Sequence, residues 1–263
     1  MSTISAPPLT TTAWTPNVGT ATLAPSTCYE AIRAAAPEAL PDAAVAIAAA
    51  TARLAEWAPR KDPTVTAAAA EWARAVASAA LAGDDLPSTD PVAAALLADH
   101  VADEVRRAYR RAWDHTLTPL GTVLSEHGDH IVATLQPAHD EALADYLTAV
   151  DALHTYPDET AVLAAAGAAV DHHQQAQHAL ARLGAIRHAR ATLDALPGYH
   201  VDAGQEDGVV AFRDPRHATH ARVAKAGLQR LRDLATVYRR AGAWCPSKAE
   251  AEQRRDQLTK ATS

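Results

Sequence analysis

The chain has 263 residues, about a quarter of them Ala, and a net charge of −7, enough material for one large helical domain or two small ones. Its two cysteines, Cys28 and Cys245, stand far apart with no CxxC spacing, which argues against a zinc site or disulfide framework and for free thiols in a reducing cytoplasm. No apolar run approaches the ~20 residues of a membrane span, and no basic stretch precedes Arg33, so neither a membrane helix nor a secretory signal is expected.

Ala is the strongest helix former because it loses no side-chain entropy on folding. Phe and Met occur once each, so a core must be built from Leu, Val, Ala and the five Trp. At roughly 25 cal/mol per Å² of buried apolar surface, Ala-rich contacts are weak unless they are long. Long helices or self-association follow. Heavy use of Ala, Arg, Asp and His also points to a high-GC bacterial genome, such as an actinobacterial one, or its phage.

In chain order, residues 1–28 are rich in Ser, Thr and Pro, carry no charge and hold one aromatic, Trp14. Such a segment reads as a flexible arm, with Trp14 as the anchor if it orders on a partner. Residues 29–196 read as an acidic, Ala-rich helical bundle. Helix starts recur along the chain: Asp62-Pro63, Asp90-Pro91 and Asp214-Pro215 each set a capping carboxylate directly before a Pro at the first helical position. Asp158-Glu159 is another start, and Ser247 with Glu250 makes a capping box.

The helices expected are Pro41 to Trp57, Pro63 to Leu81, and a long segment from Pro91 to about Leu135. Its buried face is read as Leu97, Val101, Val105, Ala108, Ala112, Thr116, Leu120 and Val123, with an interruption at Pro119 and Gly121. Pro137 to Leu153 follows. Asp158 to Leu196 could then run as one helix with Leu163, Val170, Leu180, Leu183, Ile186, Leu193 and Leu196 on its apolar side. Residues 197–213 read as a loop or small β-hairpin, with Tyr199–Val201 and Val209–Phe212 as its arms. Residues 214–263 form a basic C-terminal helical pair, Pro215 to Ala241 and Lys248 to Lys260. The fold class is all-α: an elongated bundle of long helices with room for a coiled-coil-like hairpin.

Charge is unevenly laid out. Residues 213–263 carry net +7 and residues 1–212 net −14. On the expected C-terminal helix Val223, Leu228, Leu231, Leu234 and Tyr238 share one face, and Arg222, Lys225, Arg232, Arg239 and Arg240 lie mostly opposite. A basic amphipathic helix of this kind can dock on an acidic protein surface, contact nucleic-acid phosphates, or balance the acidic body of its own chain. The acid excess of the whole chain disfavours a polyanion. Trp14, Trp244 and the five cations are the candidate partner-binding residues. A second basic patch, Arg106-Arg107 with Arg110-Arg111, is accounted for by intrahelical ion pairs.

Thirteen His offer metal candidates, His127 with His130, His217 with His220, and the set His172, His173 and His178. None has the HxxxH or HExxH spacing that puts ligands on one helix face, so no metal and no cofactor is expected. No phosphate loop, nucleophile elbow or dinucleotide fingerprint is present either.

An acidic Ala-rich body, a polar arm and a basic C-terminal helical pair are similar in layout to assembly or scaffolding proteins of tailed bacteriophages. That resemblance implies a C-terminal pair contacting a shell or virion protein. It covers residues 213–263 by charge and the rest by composition. The expectation is a non-enzymatic helical assembly protein, cytoplasmic or in a virion, that binds itself and an acidic protein surface. A helical enzyme or metal-binding protein using a His cluster is the alternative, and nucleic-acid binding through the C-terminal helices is the second.

Overall fold

The computed structural model describes residues 20–56, 70–76, 88–201, 211–215, 218, 223 and 226–260. Its helices are α1 (Thr20–Ala35), α2 (Asp42–Glu56), α3 (Asp90–Glu126), α4 (Gly128–Ala152), α5 (Glu159–Ala165), α6 (Ala168–Asp194), α7 (Gly227–Ala241) and α8 (Lys248–Lys260), with a 3-10 turn at Pro37–Ala39. Residues 70–76 are helical as well. Among the described residues the only β pairing is an isolated antiparallel bridge between Phe212 and Ala243. The chain is an all-α helical bundle.

The central element is the antiparallel pair α4 and α6, which pack along each other. Glu141 of α4 meets Arg182 of α6 at 2.7 Å. At the far end Ser125, just before α4, donates to the Pro197 carbonyl, just past α6, at 2.9 Å. One end of the pair, with Ile131, Leu135, Ile186 and Leu193, joins a core with α1, α2 and the last turns of α3. The other end, with Ala142, Tyr146, Ala149, Ala176 and Leu183, joins a second core with α7. α1 lies against both α6 and α3, and α2 against α3.

Several sequence expectations change here. α1 begins at Thr20, inside the stretch read as an arm, and buries Cys28, Tyr29 and Ile32 completely. These three residues, at the end of the Ser/Thr/Pro-rich stretch and just past it, supply the apolar area that its composition lacks, and their spacing sets one face of the helix on α3 and α6. Trp14 lies outside the described residues, as does most of the expected Pro63 to Leu81 helix.

α3 runs through Pro119 without a break. A mid-helix Pro removes one hydrogen bond and costs about 3 kcal/mol in isolation. Here Trp113, Leu117, Leu120 and Leu124 are buried on both sides of it and hold the helix together. That row also shifts the buried face by one residue from the expected Ala112, Thr116 and Val123, because the larger side chains take the core. Leu97, expected to be buried, is 66% exposed. Gly121 is not a breaker but a crossing point, since a Cβ there would stand 3.0 Å from Pro25 of α1.

The actual break falls at His127, between α3 and α4. Gly128 follows the break, and the Tyr199 ring occupies the space where a Cβ would be. Tyr199 then donates its hydroxyl to Asp129 at 2.8 Å. α4 in turn passes through Pro137, which is exposed, so the expected start there is overturned in favour of Gly128.

The expected forty-residue helix is two. Ala166 (φ 52°, ψ −171°) and Gly167 (φ 53°, ψ −132°) separate α5 from α6. A non-glycine residue in this region carries about 1–3 kcal/mol of strain, which packing on both sides must offset. Leu163 of α5 is left 59% exposed. Two start signals behave as read: Asp158 accepts from the Ala161 N–H at 2.9 Å, and the Ser247 N–H donates to Glu250 at 2.8 Å. Ala218, three residues past Pro215, is helical and donates its N–H to the Pro215 carbonyl at 3.0 Å, as the expected start implies, and α7 begins separately at Gly227, whose φ of +72° turns the chain into it.

Two glycines test this packing in opposite directions. Gly184 of α6 faces open space, so Gly184→Ala should stabilise by ~0.5–1 kcal/mol through helix propensity. Gly128→Ala should destabilise by ~1–3 kcal/mol through overpacking against Tyr199. Guanidinium unfolding midpoints of the two variants check the pair, and shifts of the same sign would contradict it.

Candidate partner-binding surface

The basic helix α7 sits in the second core. Leu228, Leu231, Ala235 and Tyr238 are buried, Leu234 is half-buried, and Val223 lies before the helix, 37% exposed. The Tyr146 hydroxyl donates to the Leu231 carbonyl at 2.5 Å, and the Tyr146 and Tyr238 rings meet edge to face at 5.8 Å. Seated this way, α7 presents its cations to the end of α4.

Arg232 is half-buried and donates to the carbonyls of Leu153 (2.6 Å) and Tyr156, with Pro157 at 3.5 Å. The last four carbonyls of a helix have no intrahelical donor and form the negative end of its dipole. A guanidinium, with five fixed donors, fits that end well. Arg239 makes a two-pronged contact with both Asp151 oxygens at 2.7 Å, in the last turn of the same helix. Trp244 is buried, with the Arg213 guanidinium over its ring at 4.5 Å.

The sequence reading placed Arg232, Arg239 and Trp244 at a partner contact. Each of the three makes a contact within its own chain: Arg232 with carbonyls at and just past the end of α4, Arg239 with Asp151, and Trp244 with Arg213. Arg240, in the last turn of α7, is exposed. Arg222 and Lys225 lie outside the described residues, together with His217 and His220.

His127 and His130 are both exposed at the α3–α4 break, and His127 Nδ1 lies 2.9 Å from the Val123 carbonyl of its own helix. Among the described residues no three His, Cys, Asp or Glu side chains are grouped to hold a metal ion. An open groove of about 400 Å³ between α4 and α6 is lined by Asp145, Asp171, Gln174, Gln175, His178 and Arg182. It is polar, and Arg182 is already tied to Glu141.

The buried polar residues were not visible in the sequence. Arg190 is 1% exposed, donates through Nε to the Pro246 carbonyl at 2.7 Å, and lies over the Tyr199 ring at 5.4 Å. It locks the end of α6 to the segment entering α8. Burial pushes the Cys28 thiol up to about 12 and the Cys245 thiol up to about 11, against the opposing charge of Arg190. Both thiols are buried. His139 is fully buried, with Nδ1 at 3.0 Å from Asp140. Burial lowers its pKa from 6.5, partly offset by the Asp140 hydrogen bond, while Arg187 adds to the lowering.

Large apolar side chains are exposed at a few described positions only. Two of them are neighbours, Leu96 at 55% and Leu97 on α3, in a stretch where Ala93 and Ala94 are exposed too. No protein-family model, curated protein or solved structure matches the chain.

Two predictions follow from the seat of α7 and from His139. Arg232→Ala should cost about 1.5–3 kcal/mol, the range for hydrogen bonds to a charged group. Arg239→Ala, an exposed pair, should cost below about 1 kcal/mol. Urea titration of each variant measures the difference, and an equal loss would mean that Arg232 does not cap α4. For His139, the unfolded chain takes up a proton near pH 6.5 whereas the folded side chain resists it, so stability falls as pH drops through that value. Between pH 7.5 and 5.5 the wild type should lose more stability than His139→Gln; parallel profiles would remove His139 from the account.

Proposed function

We propose that the chain is a non-enzymatic helical assembly protein that acts through protein–protein contacts, with copies of itself among its partners. The observation that carries this reading is the exposed Leu96-Leu97 pair on α3. Scattered surface leucines are ordinary. Two adjacent ones on an Ala-rich helix make a continuous apolar patch of the kind that marks contact sites. Further along the same helix Arg107, Arg110 and Arg111 are exposed and suit an acidic protein surface.

The contact surface therefore moves from the C-terminal pair to α3. Arg232 and Arg239 hold α7 on α4, whereas the first half of α3 has no such use for its leucines. A virion or scaffolding-type setting is supported by the layout alone: an acidic body, a polar start and a basic end.

Light scattering tests the reading. The wild type should run above the monomer mass of 27.7 kDa, with a mass that rises with concentration. Leu96→Glu with Leu97→Glu should return it to monomer with unchanged circular dichroism. A wild type that is monomeric at all concentrations, or a double variant of unchanged mass, overturns the reading.

A further inference from the structure

From the start signal at Asp158 to Leu196 the sequence holds no Pro, and only single glycines at 167 and 184. The chain nevertheless turns back between α5 and α6. Ala166 and Gly167 both have positive φ, 52° and 53°, and Glu159 of α5 meets His173 of α6 at 3.6 Å. Fourteen residues of continuous helix would hold that pair roughly 21 Å apart. Ala is a strong helix former and is strained at positive φ, so the bend runs against the preference of the residues around it. A straight helix would also extend the pattern of α6. Ala169, His173, Ala176 and Leu183 are buried along it, and Val162 and Ala166 stand seven residues before the first two, on the same row.

What holds the bend lies on α7. Arg232 donates to the carbonyls of Leu153, Tyr156 and Pro157, all in the connection from α4 to α5. Val162 is buried in the core that α7 completes. At the first residue of α7, a Cβ on Gly227 would stand 3.3 Å from the Glu159 carboxylate. We propose that residues 159–194 form a two-state hinge, bent while α7 clamps the connection, and straight, with α6 continued back to Glu159, when Arg232 lets go. The chain is long enough for both states. Nine added helical residues reach roughly 14 Å beyond the start of α6. The six residues 153–158 can span roughly 20 Å to meet them. The α4–α6 contact is the same in both. The straight state carries Val162 and Leu163 past the end of α4, so release of α7 presents an apolar patch that the bent state keeps half covered.

The full-length chain carries the test. Spin labels are attached to Thr160→Cys and Ala181→Cys in one chain, both exposed sites, while the buried native thiols stay unlabelled. Twenty-one helical residues separate these labels by roughly 32 Å in the straight state. In the bent state residue 181 lies only eight residues, roughly 12 Å, past His173, which keeps the labels within about 20 Å. The wild type should give the short dipolar distance alone. Arg232→Ala should add a population at the long one. Adding Ala166→Gly to it should shrink that population, because glycine accepts a positive φ and weakens a continuous helix. Gly167→Ala should bring in the long distance by a second route, since a Cβ there meets nothing within 4 Å and only the backbone opposes the bend. The short distance alone in both Arg232→Ala and Gly167→Ala, with helix content retained, would overturn the hinge. If Arg232→Ala unfolds, Gly167→Ala decides by itself. A long distance in Gly167→Ala but not in a folded Arg232→Ala would overturn Arg232 as the clamp.

Discussion

Helices lined with Ala can approach closely, and α4 and α6 do so over most of their length. Everything else in the molecule is positioned by that antiparallel contact. Because each Ala buries little, the pair gains its stability from length and from the larger side chains set into it at intervals. Ile131, Leu135, Ile186 and Leu193 do this at one end, Tyr146 and Leu183 at the other. The two ends then recruit different partners, α1 to α3 on one side and α7 on the other. Each core is completed by helices distant in sequence, so neither end could form from local contacts alone.

The end of α4 explains why an acidic chain finishes in a basic helix. Arg232 donates to carbonyls at and just past that end, where the helix dipole is negative, and Arg239 pairs with Asp151 in its last turn. Arg190 does similar work at the far end of α6, where it holds Pro246 and stacks under Tyr199. The uneven charge of the sequence is thus used in part to fasten the C-terminal segments to the acidic body. That use competes with partner docking for the same side chains. It is the physical reason for looking to α3 instead.

Local rules were readable where the chemistry is local. The capping carboxylate of Asp158, the reciprocal Ser247 and Glu250 pair, and α2 to within one residue of each end all follow from a few neighbouring side chains. Pro119 and Pro137 misled for the opposite reason. Their cost is local, but Trp113, Leu117 and Leu124 on one helix and Tyr146 on the other offset it by contacts that sequence spacing does not reveal. The break at Ala166 and Gly167 was signalled in the sequence by the glycine alone, since Ala favours a helix and gives no hint of a positive φ. For α7 the sequence shows cations on an amphipathic helix, but what Arg232 and Arg239 meet is the terminus of α4, some eighty residues earlier, and no periodicity within α7 carries that information.

The same reasoning separates the two halves of α3. From Trp113 onward every third or fourth side chain is buried in a core shared with α1, α2 and α6, and the helix continues through a proline. Before that point the helix keeps the same regular course, yet Leu96 and Leu97 stay in water. A helix rarely holds some twenty residues in order on propensity alone, since isolated segments of that length are marginal even when Ala-rich. The C-terminal half supplies a nucleus from which the first half extends. Its leucines at 96 and 97 are then left exposed, and they are the part of the helix that the proposed self-contact would cover.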